Sequence, residues 1–494
     1  MAKHEVELIA NEGIFKGLAK QNMLFHQCIC ELIDNSISAK SDTRKFIIDV
    51  ILHKIDDLYI SVFVCDNGSG MNLETMKNAL QLGKEPVGTN RLNEHGFGLK
   101  NALATLSSAS EGWSIFSKDL NSGKIASVNG PFGPKMKIED DDNFPNFDFL
   151  PADCTTIIEC KVKLSFVQTL QGRGAPTSDL SKLREWLIEH LGVLYRGYIE
   201  NDPISYDNLG NIYISIDKDR QVVPPIPVPL GARKTEYFDV EISGKNYKLE
   251  YQHGTIDEVK RDKLVRGNKS KYYYLGNTSS QGIDIRLGKR VIAVRQLETI
   301  WKTDEGNRST QVTRHSDFND FAGELIIPEL PRGVLSTVNN KTDFNLDDND
   351  WQKIFDQLNN FKPPRRQREK SESELRKRWV AMLKATNPLE TISDEKTVWP
   401  TGVRIDVYRK MANSDIIIYE LKVGTGAPQH LYQLKMYWDG LALQNEEPKE
   451  GILLVEDFNT TLEEMANKIN GFKSPTGKQY NLKVEKLKDR NLLS

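Results

Sequence analysis

Asp66-Asn-Gly-Ser-Gly-Met71 is the stretch from which the fold of the N-terminal part can be read. Leu58 to Cys65, just before it, alternates like a strand, and the two glycines permit positive φ and close approach by a ligand. By itself an Asp-Asn-Gly turn is usually only a turn. On its N-terminal side, Phe46 to Leu52 reads as a second strand, and Gly17 to about Lys40 carries Leu24, Phe25, Cys28, Ile29, Leu32 and Ile33 at helical spacing. On that helix Glu31, Asp34 and Asn35 stand at i, i+3 and i+4 and share one face, a polar stripe cut into an apolar helix. On the C-terminal side a helix follows Asn72, Gly83 to Gly98 is too rich in Gly, Pro, Asn and charge for regular structure, and Leu99 to Leu106 turns helical. In His95-Gly-Phe-Gly-Leu-Lys100 the glycines free backbone N–H groups at the start of a helix, where the dipole favours phosphate.

The remaining sequence sets limits. At 494 residues, 38% hydrophobic and 27% charged, the chain is globular and long enough for two to four domains of about 100–200 residues each. No run approaches the ~18–20 apolar residues of a membrane span, and Met1 to Lys20 lacks the apolar block of a signal peptide, so a cytoplasmic protein without membrane contact is expected. Five cysteines, all in the first third, make neither a disulfide framework nor a zinc set. A net charge of −3 excludes nucleic-acid binding by bulk charge and leaves only local patches.

From Asp202 to Asp343 short β-rich runs alternate with turns, as expected of a second α/β domain. After a helix from Trp351, Lys362-Pro-Pro-Arg-Arg-Gln-Arg-Glu-Lys370 marks a linker, and a helix from Ser371 leads into a last small α/β domain. The expected division is 1–200, 201–350, a helical and basic linker 351–370, and 371–494. In the last domain Asp406 interrupts the apolar strand Val403 to Tyr408, and Glu420 interrupts Ile416 to Val423. A hairpin about Asn413 sets Asp406 opposite Glu420, where like charges repel unless a divalent cation, Mg²⁺ or Mn²⁺, sits between them. Lys422 projects from the same face as Glu420 and can hold or deprotonate a water there. The plain alternative is a Glu420–Lys422 salt bridge on a surface strand. The basic run Lys362 to Arg378 reads equally as a solvated face or as a phosphate track.

Together, Glu31-Leu-Ile-Asp-Asn35, Asp66-Asn-Gly-Ser-Gly70 and Gly96-Phe-Gly-Leu-Lys100 resemble the motifs of the GHKL ATPases, the superfamily of gyrase, MutL, histidine kinases and MORC proteins. The resemblance covers about the first 160 residues and implies a Bergerat-fold α/β sandwich that binds ATP and Mg²⁺. It implies Glu31 as general base for the attacking water, Asn35 as the Mg²⁺ ligand, and Asp66 as acceptor from the adenine amino group. Gly68, Gly70 and Met71 would contact the nucleotide, and Lys84 in a lid running to Asn93, with Gly96, Gly98, Leu99 and Lys100, would hold the phosphates. Thr155 in Asp153-Cys-Thr-Thr-Ile157 is the candidate to close the adenine pocket, although Cys154 stands where the family usually has Gly. Ser38 replaces an acidic residue often found after the Asn. Gly282 to Ile292 and Leu335 to Phe344 look like the S5-like transducer domain of MORC proteins, with Lys341 as the lysine that reaches the ATP site; its plain alternative is an exposed loop lysine.

Asp406 followed by Glu420-x-Lys422 resembles the PD-(D/E)XK nucleases, which implies a restriction-endonuclease-like α/β fold. Glu374 on the preceding helix is the expected further metal ligand, with Glu372 its rival, and Gln433 and Tyr437 lie on the following helix. The combined expectation is an α/β (α+β) chain acting as an ATP-gated, metal-dependent nuclease. ATP would drive homodimerisation, and the substrate would be DNA, double-stranded, in prokaryotic defence against phage or plasmids. A partner protein from the same operon fits that setting. The alternative is a MORC-like ATP-dependent clamp or compaction protein whose C-terminal domain binds DNA without cutting it.

Overall fold

The computed structural model describes residues 17, 20, 23–40, 45–82, 96–107, 112–141, 143–172, 175–199, 209–264, 272–305, 308–335, 348–364, 372–399 and 402–492. The chain is mixed α/β and divides into two compact units, 1–366 and 367–494. No helix among the described residues is long and apolar enough to cross a membrane.

In the first unit, strands β1 (Phe46–Lys54), β2 (Tyr59–Asp66), β3 (Trp113–Lys118), β4 (Ile125–Asn129), β5 (Ile138–Asp141), β6 (Thr156–Lys163), β7 (Leu209–Ile216) and β8 (Asp219–Val222) form one sheet. Its order is β5-β4-β3-β6-β2-β1-β7-β8, and only β1 beside β7 is parallel. Helices α1 (Phe25–Ser38), α2 (Leu73–Leu80), α3 (Gly98–Leu106) and α4 (Leu180–Leu194) accompany it. Strand alternation divides the apolar residues between two faces. Val50, Val62 and Val64 pack with Ile29 and Ile33 of α1, Leu103 of α3 and Leu187 of α4. Ile51, Phe63 and Cys65 turn the other way, toward Phe144, Phe149 and Leu150. Leu24 caps α1, its N–H donating to Gln27 Oε1 at 2.7 Å, so the helix starts later than Gly17.

The strands of 209–222 belong to this first sheet and not to a second domain beginning at 201. Ile212 and Ile214 are fully buried in the first core, and alternation specifies a buried face without saying which sheet supplies it.

The second sheet contains β9 (Lys234–Ile242), β10 (Lys245–Thr255), β11 (Gly282–Leu287), β12 (Arg290–Gln296) and, after a separate ribbon of β13 (Lys302–Glu305) and β14 (Arg308–Gln311), β15 (Phe321–Ile327). Its order is β12-β11-β15-β10-β9, with β11 parallel to β15. Helix α5 (Asn349–Leu358) buries Trp351, Ile354, Phe355 and Leu358 in this core. Trp301 Nε1 donates to the carbonyls of Leu358 at 3.1 Å and Phe361 at 3.0 Å. Residues 351–361 are therefore part of the second core, a correction to the linker expected over 351–370.

Two buried polar clusters join the layers. Asp284 and Glu324 pair across β11 and β15, and Arg196, just after α4, neutralises both at 3.0 and 2.8 Å. Arg290, at the start of β12, reaches Asp34 of α1 at 3.2 Å, while the Tyr195 hydroxyl donates to the same carboxylate at 2.7 Å. Elsewhere His26 of α1 stacks on His190 of α4, ring centroids 4.0 Å apart. Burial lowers both pKa values, that of His190 to about 4. Since the folded state binds the proton less well than the unfolded chain, this pair contributes stability above about pH 6.5 that is lost as pH falls toward 4. The expected loss from His190 is on the order of 3 kcal/mol, and its removal in His190→Gln should flatten the fall of Tm over that interval.

In the second unit α6 (Glu372–Thr386) precedes the sheet β16 (Thr391–Thr397), β17 (Arg404–Lys410), β18 (Ile416–Thr425), β19 (Glu450–Asp457) and β20 (Leu482–Lys486), ordered as in the chain. The first three strands are antiparallel and the last two parallel to β18 and β19. Helix α7 (Pro428–Leu443) starts on a proline, which needs no N–H there, and with α8 (Thr460–Asn470) packs on one face through Leu431, Leu434, Trp438 and Leu462. Helix α6 covers the other face through Leu375, Trp379 and Leu383.

Candidate functional site

At the end of β2 the Asp66 carboxylate is 4% exposed. It accepts Ser36 Oγ at 2.8 Å and the Gly68 N–H at 2.9 Å. Thr155 closes the same corner: its N–H donates to Asp66 O at 2.7 Å and its hydroxyl to Gly68 O at 2.8 Å. A Cβ at Gly70, where φ is +70, would meet Lys118 O at 1.8 Å, so only glycine fits the turn. Met71 donates its N–H to Ser117 Oγ at 2.8 Å.

Across α1, Glu31 is 3% exposed and its carboxylate lies against the start of α3, where a Cβ on Gly98 would be 2.0 Å from Oε2. Asn35 Nδ2 donates to Glu31 O at 2.7 Å, which leaves its side-chain oxygen facing away from that bond and suited to a hard cation. Lys100 is buried and donates to Gly96 O, and among the described residues its ammonium has no carboxylate partner. Burial lowers its pKa to about 8. A buried cation beside free N–H groups at a helix start is a fitting phosphate contact. Leu99 follows in α3 and packs partly buried on the first core. Lys84, the lid to Asn93 and Lys341 lie outside the described residues.

In the second unit the hairpin register is Val407↔Tyr419, Tyr408↔Ile418, Arg409↔Ile417 and Lys410↔Ile416; the ladder ends one position short of Asp406 and Glu420, whose carboxylates still lie close enough to interact. Asp406 Oδ2 accepts the Leu421 N–H at 2.9 Å. Glu420 is 0% exposed, and neither carboxylate oxygen has a hydrogen bond, although Lys422 Nζ lies 2.9 Å from Oε1 as an ion pair. Burial first, then Asp406, pushes its pKa up to about 8. Two carboxylates this close, one of them fully buried, make a site that a divalent cation would suit. Burial works against the Lys422 ammonium, yet Glu420 and Glu372 outweigh it and raise its pKa. Lys422 is thus a proton-loaded donor, able to hold a water or phosphate oxygen and poorly suited to take a proton.

The expected trio Glu374, Asp406 and Glu420 is not assembled as a metal-holding group, since no cluster of three or more His, Cys, Asp or Glu among the described residues is so arranged. Two carboxylates suffice for Mg²⁺, which keeps several waters and borrows substrate phosphate. The helix side chain that reaches the site is Glu372, 3.1 Å from Lys422 Nζ; Glu374 is two positions on, about 200° round the helix. Gln433 Nε2 donates to Tyr437 OH at 2.5 Å, and burial raises the Tyr437 pKa to about 12.

Two further residues, unmarked in the sequence reading as site residues, stand beside Asp406. Asp394 pairs with Val407 and Lys396 with Ile405, which puts Glu395 opposite Asp406; its φ is +52, a left-handed backbone uncommon for a side-chain-bearing residue. Arg376 of α6 bridges them, 2.7 Å from Glu395 and 3.5 Å from Asp406. Ser36 was likewise unmarked. A serine within a helix carries no local signal of a partner thirty residues away.

Residues 23–130 match the family described as histidine kinase-, DNA gyrase B-, and HSP90-like ATPase. The match supports a GHKL-type ATPase domain in this part of the chain, and with it ATP binding and, typically, Mg²⁺. It takes in Glu31, Asn35, Asp66 and the Gly96–Lys100 segment, and ends before Thr155, the second sheet and the whole of the second unit. No curated protein matches the chain.

Proposed function

We propose that the chain is an ATP-gated, metal-dependent DNA nuclease in which ATP-driven dimerisation of the first unit controls cutting by the second. The observation that carries the nuclease part is Glu420, fully buried close to Asp406 and held 2.9 Å from Lys422. Asp406 and Glu420 would hold Mg²⁺ or Mn²⁺, which supplies neutralisation of the charge that develops on a phosphodiester. Lys422, kept charged by Glu420 and Glu372, would orient a water or a phosphate oxygen. In the first unit Asp66 would take the adenine amino group, Asn35 would hold Mg²⁺, Lys100 would meet the phosphates, and Glu31 would position the attacking water. Lys341 would relay the nucleotide state, and the setting would be defence against foreign DNA, a step that rests on analogy with modular defence proteins.

The test is cleavage of plasmid and linear DNA with Mg²⁺ or Mn²⁺ under three conditions: no nucleotide, ATP, and a non-hydrolysable analogue, for wild type and Glu420→Ala. Cleavage that changes with nucleotide and vanishes in the variant is the expected result. No cutting under any condition, with ATP-dependent retention of DNA, would replace this reading by the clamp. For the ATPase, Glu31→Gln should slow hydrolysis on the order of a hundredfold while ATP still binds. Unchanged turnover would remove Glu31 from its role.

A further inference from the structure

We propose that Arg376 is an internal cation that occupies Asp406 until a divalent ion takes that carboxylate, and that its guanidinium then grips the phosphate to be cut. The inference rests on the nuclease reading above and adds a residue to it. Three acids lie on adjacent strands: Glu395 on β16 stands opposite Asp406 on β17, and Asp406 lies close to Glu420 on β18. Arg376 and Glu372 stand at i and i+4 on α6, so one helix face delivers a guanidinium to Asp406 and a carboxylate to Lys422.

The two contacts of Arg376 are unequal. At 2.7 Å the contact to Glu395 is a close ion pair, whereas the 3.5 Å to Asp406 is a looser one. The guanidinium is therefore anchored on Glu395 and only leans on Asp406. Its Nε is buried without a partner, a donor left unsatisfied by this arrangement. The anchor is itself held in place. Glu395 sits at positive φ and takes a second arginine, Arg404, at 3.1 Å. A divalent ion on Asp406 and Glu420 would repel the guanidinium from Asp406 while Glu395 retains it. The arginine would then be free to turn toward a phosphate oxygen, a partner its planar fork suits.

The experiment uses the full chain: Mn²⁺ titration by calorimetry, and steady-state plasmid cleavage, for wild type, Arg376→Met, Arg376→Lys and Glu420→Gln. Arg376→Met should bind Mn²⁺ several-fold more tightly, because the competitor is gone, while kcat falls about 10–100-fold. Arg376→Lys should recover part of kcat. A residue with only a structural role would weaken both properties together. The variant is expected to fold, since Glu395 keeps Arg404 and Asp406 keeps the Leu421 N–H; should it not, Arg376→Lys carries the comparison through its weaker hold on Asp406. Mn²⁺ affinity no tighter than wild type, or cleavage at the wild-type rate, overturns the proposal. If wild type binds and cuts and Glu420→Gln does not, such a result sinks the role of Arg376 alone. If wild type neither binds Mn²⁺ nor cuts, the nuclease reading falls and takes this proposal with it.

Discussion

Asp66→Asn should lower ATP affinity by about 10–100-fold, read by calorimetry or by displacement of a fluorescent ATP analogue. The carboxylate is buried and accepts from Ser36 and Gly68 at the corner closed by Thr155, where the proposed adenine amino group would be a further donor. An asparagine keeps the shape and one acceptor, but its NH₂ would confront the adenine amino group donor to donor, and an unsatisfied pair of that kind costs ~1–3 kcal/mol. Asp66→Ala would lose more binding and also strand Ser36 and Gly68, which confuses affinity with stability. Wild-type affinity in Asp66→Asn would remove Asp66 from the nucleotide site.

The second large effect is expected at Glu420, where function and stability should move in opposite directions. Glu420→Gln should abolish DNA cleavage and Mn²⁺ binding, yet raise Tm at pH 8 in the absence of metal. Its folded pKa of about 8 lies above the usual carboxylate value, so the folded protein binds this proton more tightly than the unfolded chain. Stability is then highest below pH ~4.5 and declines as pH rises toward 8, by on the order of a few kcal/mol from this group. Glutamine removes that decline, while Lys422 keeps Glu372 as a partner. A variant that is inactive and also less stable at pH 8 would mean that Glu420 is an ordinary structural residue.

Some of this was legible in the residues and some was not, for reasons that differ by element. Helix α7 spans Pro428–Leu443 as its sequence indicates, because a proline marks its first turn and an apolar face runs its length. The β17–β18 hairpin could be registered because Asn413 and Ser414 turn it tightly, with the Met411 N–H bonded to Asp415 O. Beyond that register, Ile405 and Tyr408 face one core while Val407 faces the other, so the alternation breaks at Asp406, and no residue type announces such a break. Glu372 and Glu374 could not be separated without the helix phase, which only packing against β18 sets. Arg376 was legible only as one member of a basic run that read equally as solvated face or phosphate track, and Glu395 not at all, since a pairing between helix and strand leaves no local pattern. The nucleotide corner was readable because its glycines are demanded by space and φ, which constrain residue identity tightly.

The buried charges at Arg196 and Arg290 bear on how this chain can be divided and inherited. Arg196, just after α4, finds its counter-charges on the second sheet in Asp284 and Glu324, and Arg290, on the second sheet, finds its own in Asp34 of α1. Removing one side of such a pair leaves an uncompensated ion in the interior, at a typical cost of about 3–5 kcal/mol. A fragment ending after β8 would expose or orphan both arginine clusters, so the two sheets should melt as one calorimetric transition and tolerate no cut between them. The first 366 residues, one compact unit, must therefore be inherited together.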